Sequence, residues 1–235
     1  MSEKTAPITK QRHGNKKIKP VNSFKFAANF YIVSLITNEF SKASSAHPIV
    51  FVKDNDDLKV FALLGIKKGQ NLFVDKDGRW LSHYIPSIIR RYPFLLGINE
   101  DTKDLMLCVE EDSEFLSDTE GEPLFDKKGN PGSILDKAKN YLIELQRFSE
   151  VTNLFCKELS RLGLLEPLKM QITNAEGVQV KIEGIHAVNE KKLNELPDEE
   201  FMTLRNRGAL SLIYSHLVSL GQIERLVQMQ TERGY

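Results

Sequence analysis

The chain has 235 residues, 41% hydrophobic and 27% charged, with 32 basic side chains against 32 acidic ones. That composition matches a soluble globular protein and excludes disordered, fibrous and collagen-like chains. A chain of this length buries about 70% of the surface its unfolded form exposes, so a core needs no disulfide or metal to hold it.

The two cysteines fit that reading. Cys108 lies in the apolar run "LMLCV" and Cys156 in a helical pattern, and neither belongs to a CxxC motif, so both read as reduced core residues. The amino-terminal segment lacks an apolar stretch of about 7–15 residues followed by a small-residue cleavage site. The best apolar window, "FAANFYIVSLI" at 26–36, is far short of the roughly 20 residues that span a bilayer. The expectation is a cytoplasmic protein without a membrane span. Association with a surface or a virion by a signal-independent route stays open.

Charge is segregated along the chain. Residues 1–26 carry seven lysines and arginines against Glu3, a net +6, whereas 100–126 carry eleven acidic residues against Lys103, a net −10. Such segregation either steers partners or lets the basic arm lie on the chain's own acidic loop. The arm "KQRHGNKKIKP" has no aromatic residue to stack on bases, so residues 1–22 are expected as a disordered basic tail without specific nucleic-acid binding.

Beyond the tail, one domain is expected over 23–230. Residues 24–36 read as extended, with Thr37 an N-cap for a short helix. "PIVFVK" (48–53), "LKVFALLGI" (58–66) and "NLFVD" (71–75), joined by "NDD" and "KKGQ" turns, predict an antiparallel meander. In "GRWLSHYIPSIIRRYPF" (78–94), Leu81, Tyr84, Ile85, Ile88, Ile89 and Tyr92 form one helical stripe. A helix is expected from about Ser82 or His83, with Pro86 in its first turn and its end before Pro93.

"DLMLCVE" (104–110) predicts another strand. Ser133 with Asp136 resembles a capping box opening a long helix that stops at Gly163. "LKMQIT" and "VQVKIEGI" around "NAEG" predict a hairpin with Val178, Val180 and Ile182 on one face. Short helices follow after Asn189 and after Pro197, then a longer one over 208–230 bent at Gly221. No internal repeat is evident. The fold class is α+β: an antiparallel meander, a short helix, a long helix, a hairpin and carboxyl-terminal helices.

Phosphate-binding loops, GxGxxG, HExxH, GxSxG and zinc-spaced cysteine pairs are all absent, and no cofactor is expected. "DNDD" and "DKDG" lack the full spacing of a calcium loop and read as turns; the acidic stretch 110–126 reads as a solvated loop with at most loose Ca²⁺ binding. The polar remainder of the 78–94 segment is the best candidate site. Trp80, His83, Tyr84, Arg90 and Arg91 suit an interaction surface, since arginine pairs bidentately with carboxylates. The same group around one pocket would suit an acid/base and anion-binding site instead. His186 and His216 read as structural.

The segments "HPIVFVK", "ALLGI", "GQNLFVD", "GRWL" with "YIPSIIRRYPF", "GEPLFD" and "GALSLIYSHLVSLGQIERL" run in order over about 30–227 and together resemble the SapC family of bacterial proteins. The resemblance implies an association with bacterial surface layers. Relatives tend to be encoded near tryptophan-halogenase-like, cupin or hydroxylase-like and outer-membrane receptor proteins, and some occur in phage genomes. No catalytic residue set comes with it. The leading expectation is a non-enzymatic accessory protein that binds another protein or itself. An enzyme or peptide-modification factor around His83, Arg90 and Arg91, and a virion or surface subunit, are the alternatives.

Overall fold

The structure, a computed structural model, describes residues 5–233 except 56, 101, 174–176 and 178. The chain opens with β1 (Thr5–Pro7), α1 (Lys10–His13) and β2 (Lys17–Ile18). A 3₁₀ turn at Lys25–Ala27 precedes β3 (Ile32–Ser34), and a second at Thr37–Glu39 runs into α2 (Phe40–Ala43). Then come β4 (Ile49–Asp54), β5 (Asp57–Leu63), α3 (Ser87–Arg90), β6 (Phe94–Ile98), β7 (Leu105–Glu110), β8 (Leu116–Ser117) and β9 (Glu122–Pro123). The long α4 (Ser133–Arg161) leads to the hairpin β10 (Leu165–Thr173) and β11 (Gln179–Val188). The chain closes with α5 (Glu190–Asn194), α6 (Asp198–Asn206), α7 (Ala209–Ser219) and α8 (Gln222–Glu232). The strand pairings are antiparallel, so the α+β class holds.

The described residues divide into two compact units. The smaller takes the chain up to Asn22 with Ile89–Arg147 and holds the sheet β1-β7-β6 and the small sheet β8-β2-β9. The larger takes Ser23–Ile88 with Phe148 onward and holds the sheet β10-β11-β4-β5-β3. Its core includes Phe40, Ile49, Phe51, Phe73, Leu159 and Leu193, all fully buried. Each such side chain contributes about 1.5–3 kcal/mol by leaving water.

The basic arm is not a disordered tail. Thr5, Ala6 and Pro7 pair with Glu110, Val109 and Cys108, and Lys17 and Ile18 are flanked by β8 and β9. The physical reason is charge as well as backbone pairing. Arg12 grips Glu111 with two nitrogens, Lys16 reaches Asp118 at 2.8 Å, and Lys17 Nζ donates to Thr119 O at 2.8 Å. The arm thus lies on the chain's own acidic loop, the second of the two expectations.

The helix expected over 82–92 shrinks to α3, four residues long, and Leu81 of its supposed stripe is 45% exposed. Side chains have taken the backbone groups a helix would use. Tyr84 O accepts from Trp80 Nε1 (2.8 Å) and pairs with His47 Nε2 (3.0 Å), while Ser87 N–H donates to Glu39 Oε1 (2.7 Å). Pro86 therefore sits just ahead of the helix rather than inside it. Two strand expectations also change: 71–75 contributes only a bridge from Val74 to Trp80, and 24–36 is a 3₁₀ turn followed by a short β3. Ser133 donates to Glu122 Oε1 (2.8 Å) in place of the capping box. The hairpin turn "NAEG" and Val178 lie largely outside the described residues.

The structure reveals a repeat that the sequence conceals. In the larger unit β5 lies between β4 and β3; in the smaller β7 lies between β6 and β1. The registers correspond pair by pair: Ile49↔Ala62 and Val33↔Ala62 match Phe94↔Val109 and Ala6↔Val109. Leu63 N–H donates to Pro48 O as Glu110 N–H donates to Pro93 O. Each unit then makes the same turn. Asp75 Oδ1 accepts from the backbone N–H of Asp77 and Arg79, and Asp126 Oδ1 from that of Lys128 and Asn130. Gly78 and Gly129 supply the positive φ (88° and 86°), and the bridges Val74↔Trp80 and Phe125↔Pro131 close the two turns. One three-stranded module with one turn has been built twice, and "HP…DL…LFVDKDG" and "YP…DL…LFDKKG" are its sequence traces.

Candidate functional site

The five candidate residues fall into two groups. Trp80, His83 and Tyr84 belong to the larger unit, whereas Arg90 and Arg91 belong to the smaller.

In the larger unit the organising residue is His47, fully buried just before Pro48. Its Nε2 must carry the proton, because the partner, Tyr84 O, can only accept. Its Nδ1 is buried and without a hydrogen-bond partner. Phe73, Trp80 and Tyr84 surround the imidazole at ring-centroid distances of 4.4, 6.0 and 6.5 Å. Burial pushes its pKa down to about 4, outweighing the hydrogen bond to Tyr84. Tyr84 in turn donates its phenolic O–H to the buried Glu39 carboxylate at 2.5 Å. Trp80 and Tyr84 are thereby committed to holding the segment 80–87 in place. His83 is exposed, with Nε2 3.0 Å from Ser45 Oγ.

In the smaller unit the arginines open onto a cleft of about 550 Å³. That size lies within the usual range for ligand pockets. The cleft is lined by α4, whose Ile134, Ala138, Tyr141 and Leu142 share a stripe at helical spacing, together with Ile18, Pro20, Val21, Tyr92, Pro93 and Phe94. Lys19, Lys137, Arg90 and Arg91 bring positive charge against a single carboxylate, Glu122, which already accepts from Ser133.

The arginines are pre-positioned. The exposed Arg90 guanidinium lies over the Tyr141 ring, 5.7 Å from its centroid, and Arg91 Nη1 donates to Phe94 O at 2.9 Å. Partial burial pushes the Arg91 pKa down, and the charge of Glu110 opposes the shift. The lining has no hydroxyl other than tyrosine and no thiol or imidazole. Apolar walls with cations beside them suit an apolar group that carries a carboxylate.

A family model described as SapC matches residues 8–226. The chain belongs to the SapC family. No curated protein and no solved structure matches it. In this SapC-family chain the match covers both units, the basic arm nearly from its start, and the duplicated turns.

Sequence reasoning missed Glu39, His47 and Tyr141. A histidine before the proline of an apolar strand gave His47 away only in retrospect, through its counterpart Tyr92 before Pro93. Tyr141 sits three residues after Ala138 in the long helix expected from Ser133 to Gly163, and helical periodicity alone does not separate a cleft wall from a core face. The cysteines are free and buried, and burial pushes the Cys156 thiol up to about 12. Among the described residues no group of three His, Cys, Asp or Glu is arranged to hold a metal ion, and no helix is long and apolar enough to cross a membrane.

Proposed function

We propose that this SapC-family chain is a non-enzymatic interaction protein of a bacterial surface-layer or protein-modification system. Its cleft holds an apolar segment of the protein it serves, with a carboxylate of that segment against Arg90 and Arg91. The observation that supports this most is the lining itself: apolar walls, four cations around them and one engaged carboxylate. Arginine with a fixed guanidinium is the side chain best suited to carboxylates. The surface-layer and modification setting comes from the family resemblance.

The test is co-purification of the full chain from native lysate with mass-spectrometric identification, run in parallel with Ala138→Trp, which fills the cleft. One enriched protein, lost with Ala138→Trp while circular dichroism is unchanged, is the expected result. Arg90→Ala should weaken its binding by about tenfold or more, since hydrogen bonds to charged groups contribute about 1.5–3 kcal/mol. A partner retained by the filled cleft, or no partner, contradicts the reading.

A further inference from the structure

The duplicated module has one edge that is bonded in the larger unit and, among the described residues, has no strand partner in the smaller. The hydrogen bond from Leu63 N–H to Pro48 O turns Pro48, Val50 and Val52 toward β5, so Ile49 and Phe51 face outward. Those outward groups are taken. Ser219 Oγ accepts from Ile49 N–H (2.8 Å), His216 Nδ1 donates to Ile49 O (2.7 Å), and Phe51 pairs with His186 of β11.

The smaller unit repeats this frame up to the edge. Glu110 N–H bonds Pro93 O and Asn99 N–H bonds Asp104 O, so Leu95 and Gly97 face β7 while Phe94, Leu96 and Ile98 face outward. Arg91 satisfies Phe94 O. Among the described residues no strand pairs with β6 on that side, which leaves the backbone of Leu96 and Ile98 as an edge.

Among the described residues that edge lacks the charges, prolines and bulges that exposed edges normally carry. β6 reads "FLLGI", with no charge and no proline. The counterpart of Ile98 in the larger unit is Lys53, yet Ile98 is 63% exposed and its cross-strand neighbour Leu105 is 48% exposed. By contrast the edge strand β10 carries Pro167, Lys169 and a register shift between Leu168 and Met170.

Charge selects the occupant. β6 is preceded by Arg90 and Arg91 and followed by Glu100, Asp101 and Asp104 against Lys103, cationic at one end and net acidic at the other. An antiparallel copy of the same strand meets that polarity with its complement, whereas a parallel copy would set like charges side by side. We propose that two copies of this chain associate through β6, antiparallel about a two-fold axis at Gly97. Leu96 of one copy pairs with Ile98 of the other, and Arg90 and Arg91 come level with the acidic end of the second copy. The result is a continuous six-stranded sheet.

Sedimentation equilibrium of the full chain over roughly 1–200 µM tests this, across the range in which weak association is populated. A concentration-dependent dimer is expected. Ile98→Lys, at an exposed position that keeps the fold by circular dichroism, should weaken it by at least about tenfold. Arg90→Glu and Glu100→Arg should each weaken it by about two- to fivefold, as exposed ion pairs do, and together restore it. A monomer at every concentration overturns the proposal. So does a dimer that tolerates Ile98→Lys, or single charge changes that the double variant does not rescue.

Discussion

His216 ties Ile49 to Val188: its Nδ1–H donates to Ile49 O at 2.7 Å and its Nε2 accepts from Val188 N–H at 3.0 Å. One fully buried imidazole thus joins α7 to two strands of the larger sheet where those strands diverge. Replacing it leaves a buried carbonyl and a buried N–H without partners, at about 1–3 kcal/mol each. His216→Ala should therefore lower the free energy of unfolding by about 3 kcal/mol or more in a urea titration. A change below about 1 kcal/mol would mean that the two backbone groups find water instead.

Acid should reveal the same imidazole. Burial holds His216 and His47 at about 4, well below the ordinary histidine value near 6.5. A depressed folded value means that the unfolded chain binds more protons, so their stabilisation is full above about pH 6.5 and is lost as pH falls toward 4. Going from pH 7 to 4.5 should cost on the order of 2 kcal/mol per imidazole. Stability measured across that window should fall less steeply in His216→Ala; an identical slope would count against a neutral buried His216.

Glu39 is the second buried anchor, accepting from Tyr84 O–H (2.5 Å), Ser87 N–H (2.7 Å) and Ile36 N–H (3.3 Å). Tyr84→Phe removes one donor from a buried carboxylate and should cost about 1.5–3 kcal/mol. The quenching environment of Trp80 should change with it, because Tyr84 O holds the indole N–H. A Tyr84→Phe protein of unchanged stability and fluorescence would show that the segment 80–87 is held by packing alone.

The twin turns make a matched pair of variants. Gly78 and Gly129 both sit at φ near +87°, where a side chain costs about 1–2 kcal/mol. A Cβ at Gly78 would also meet Ser23 Oγ at 2.3 Å, whereas at Gly129 it would meet the flexible end of Lys10. Gly78→Ala should therefore destabilise more than Gly129→Ala in thermal unfolding. Equal or reversed effects would mean that the two turns relax differently from their shared geometry.

Regular elements with strong local patterns were legible in the sequence. The β-branched and aromatic runs of β4 and β5 between turns, the helical spacing of α4 up to Gly163, the β10–β11 hairpin and the break near Gly221 were all readable. The 78–94 segment was not, because its helical stripe was outweighed by side chains that capture its backbone groups, Trp80 from within the segment and His47 and Glu39 from outside it. The basic arm was misread because its order depends on Glu111 and Asp118, about a hundred residues away.

Of the candidate site, the arginines were legible as a pair and the cleft beneath them was not. Its walls come from residues 18–21, 90–94 and 134–142, and no spacing rule joins these. The repeat was hidden for a related reason. The module is conserved as hydrogen bonds and register, while β4 and β6 share few side chains and the smaller unit takes β1 from the chain's start.

The same strand edge is bonded to a neighbour in the larger unit and has no strand partner among the described residues of the smaller. Residue-resolved amide exchange in dilute, monomeric protein tests this difference most directly, comparing Phe51 with Leu96. The Phe51 amide should be protected close to the global limit, and the Leu96 amide should exchange at least about a hundredfold faster, as an unpaired edge does. Equal protection of the two amides in the monomer would contradict the account.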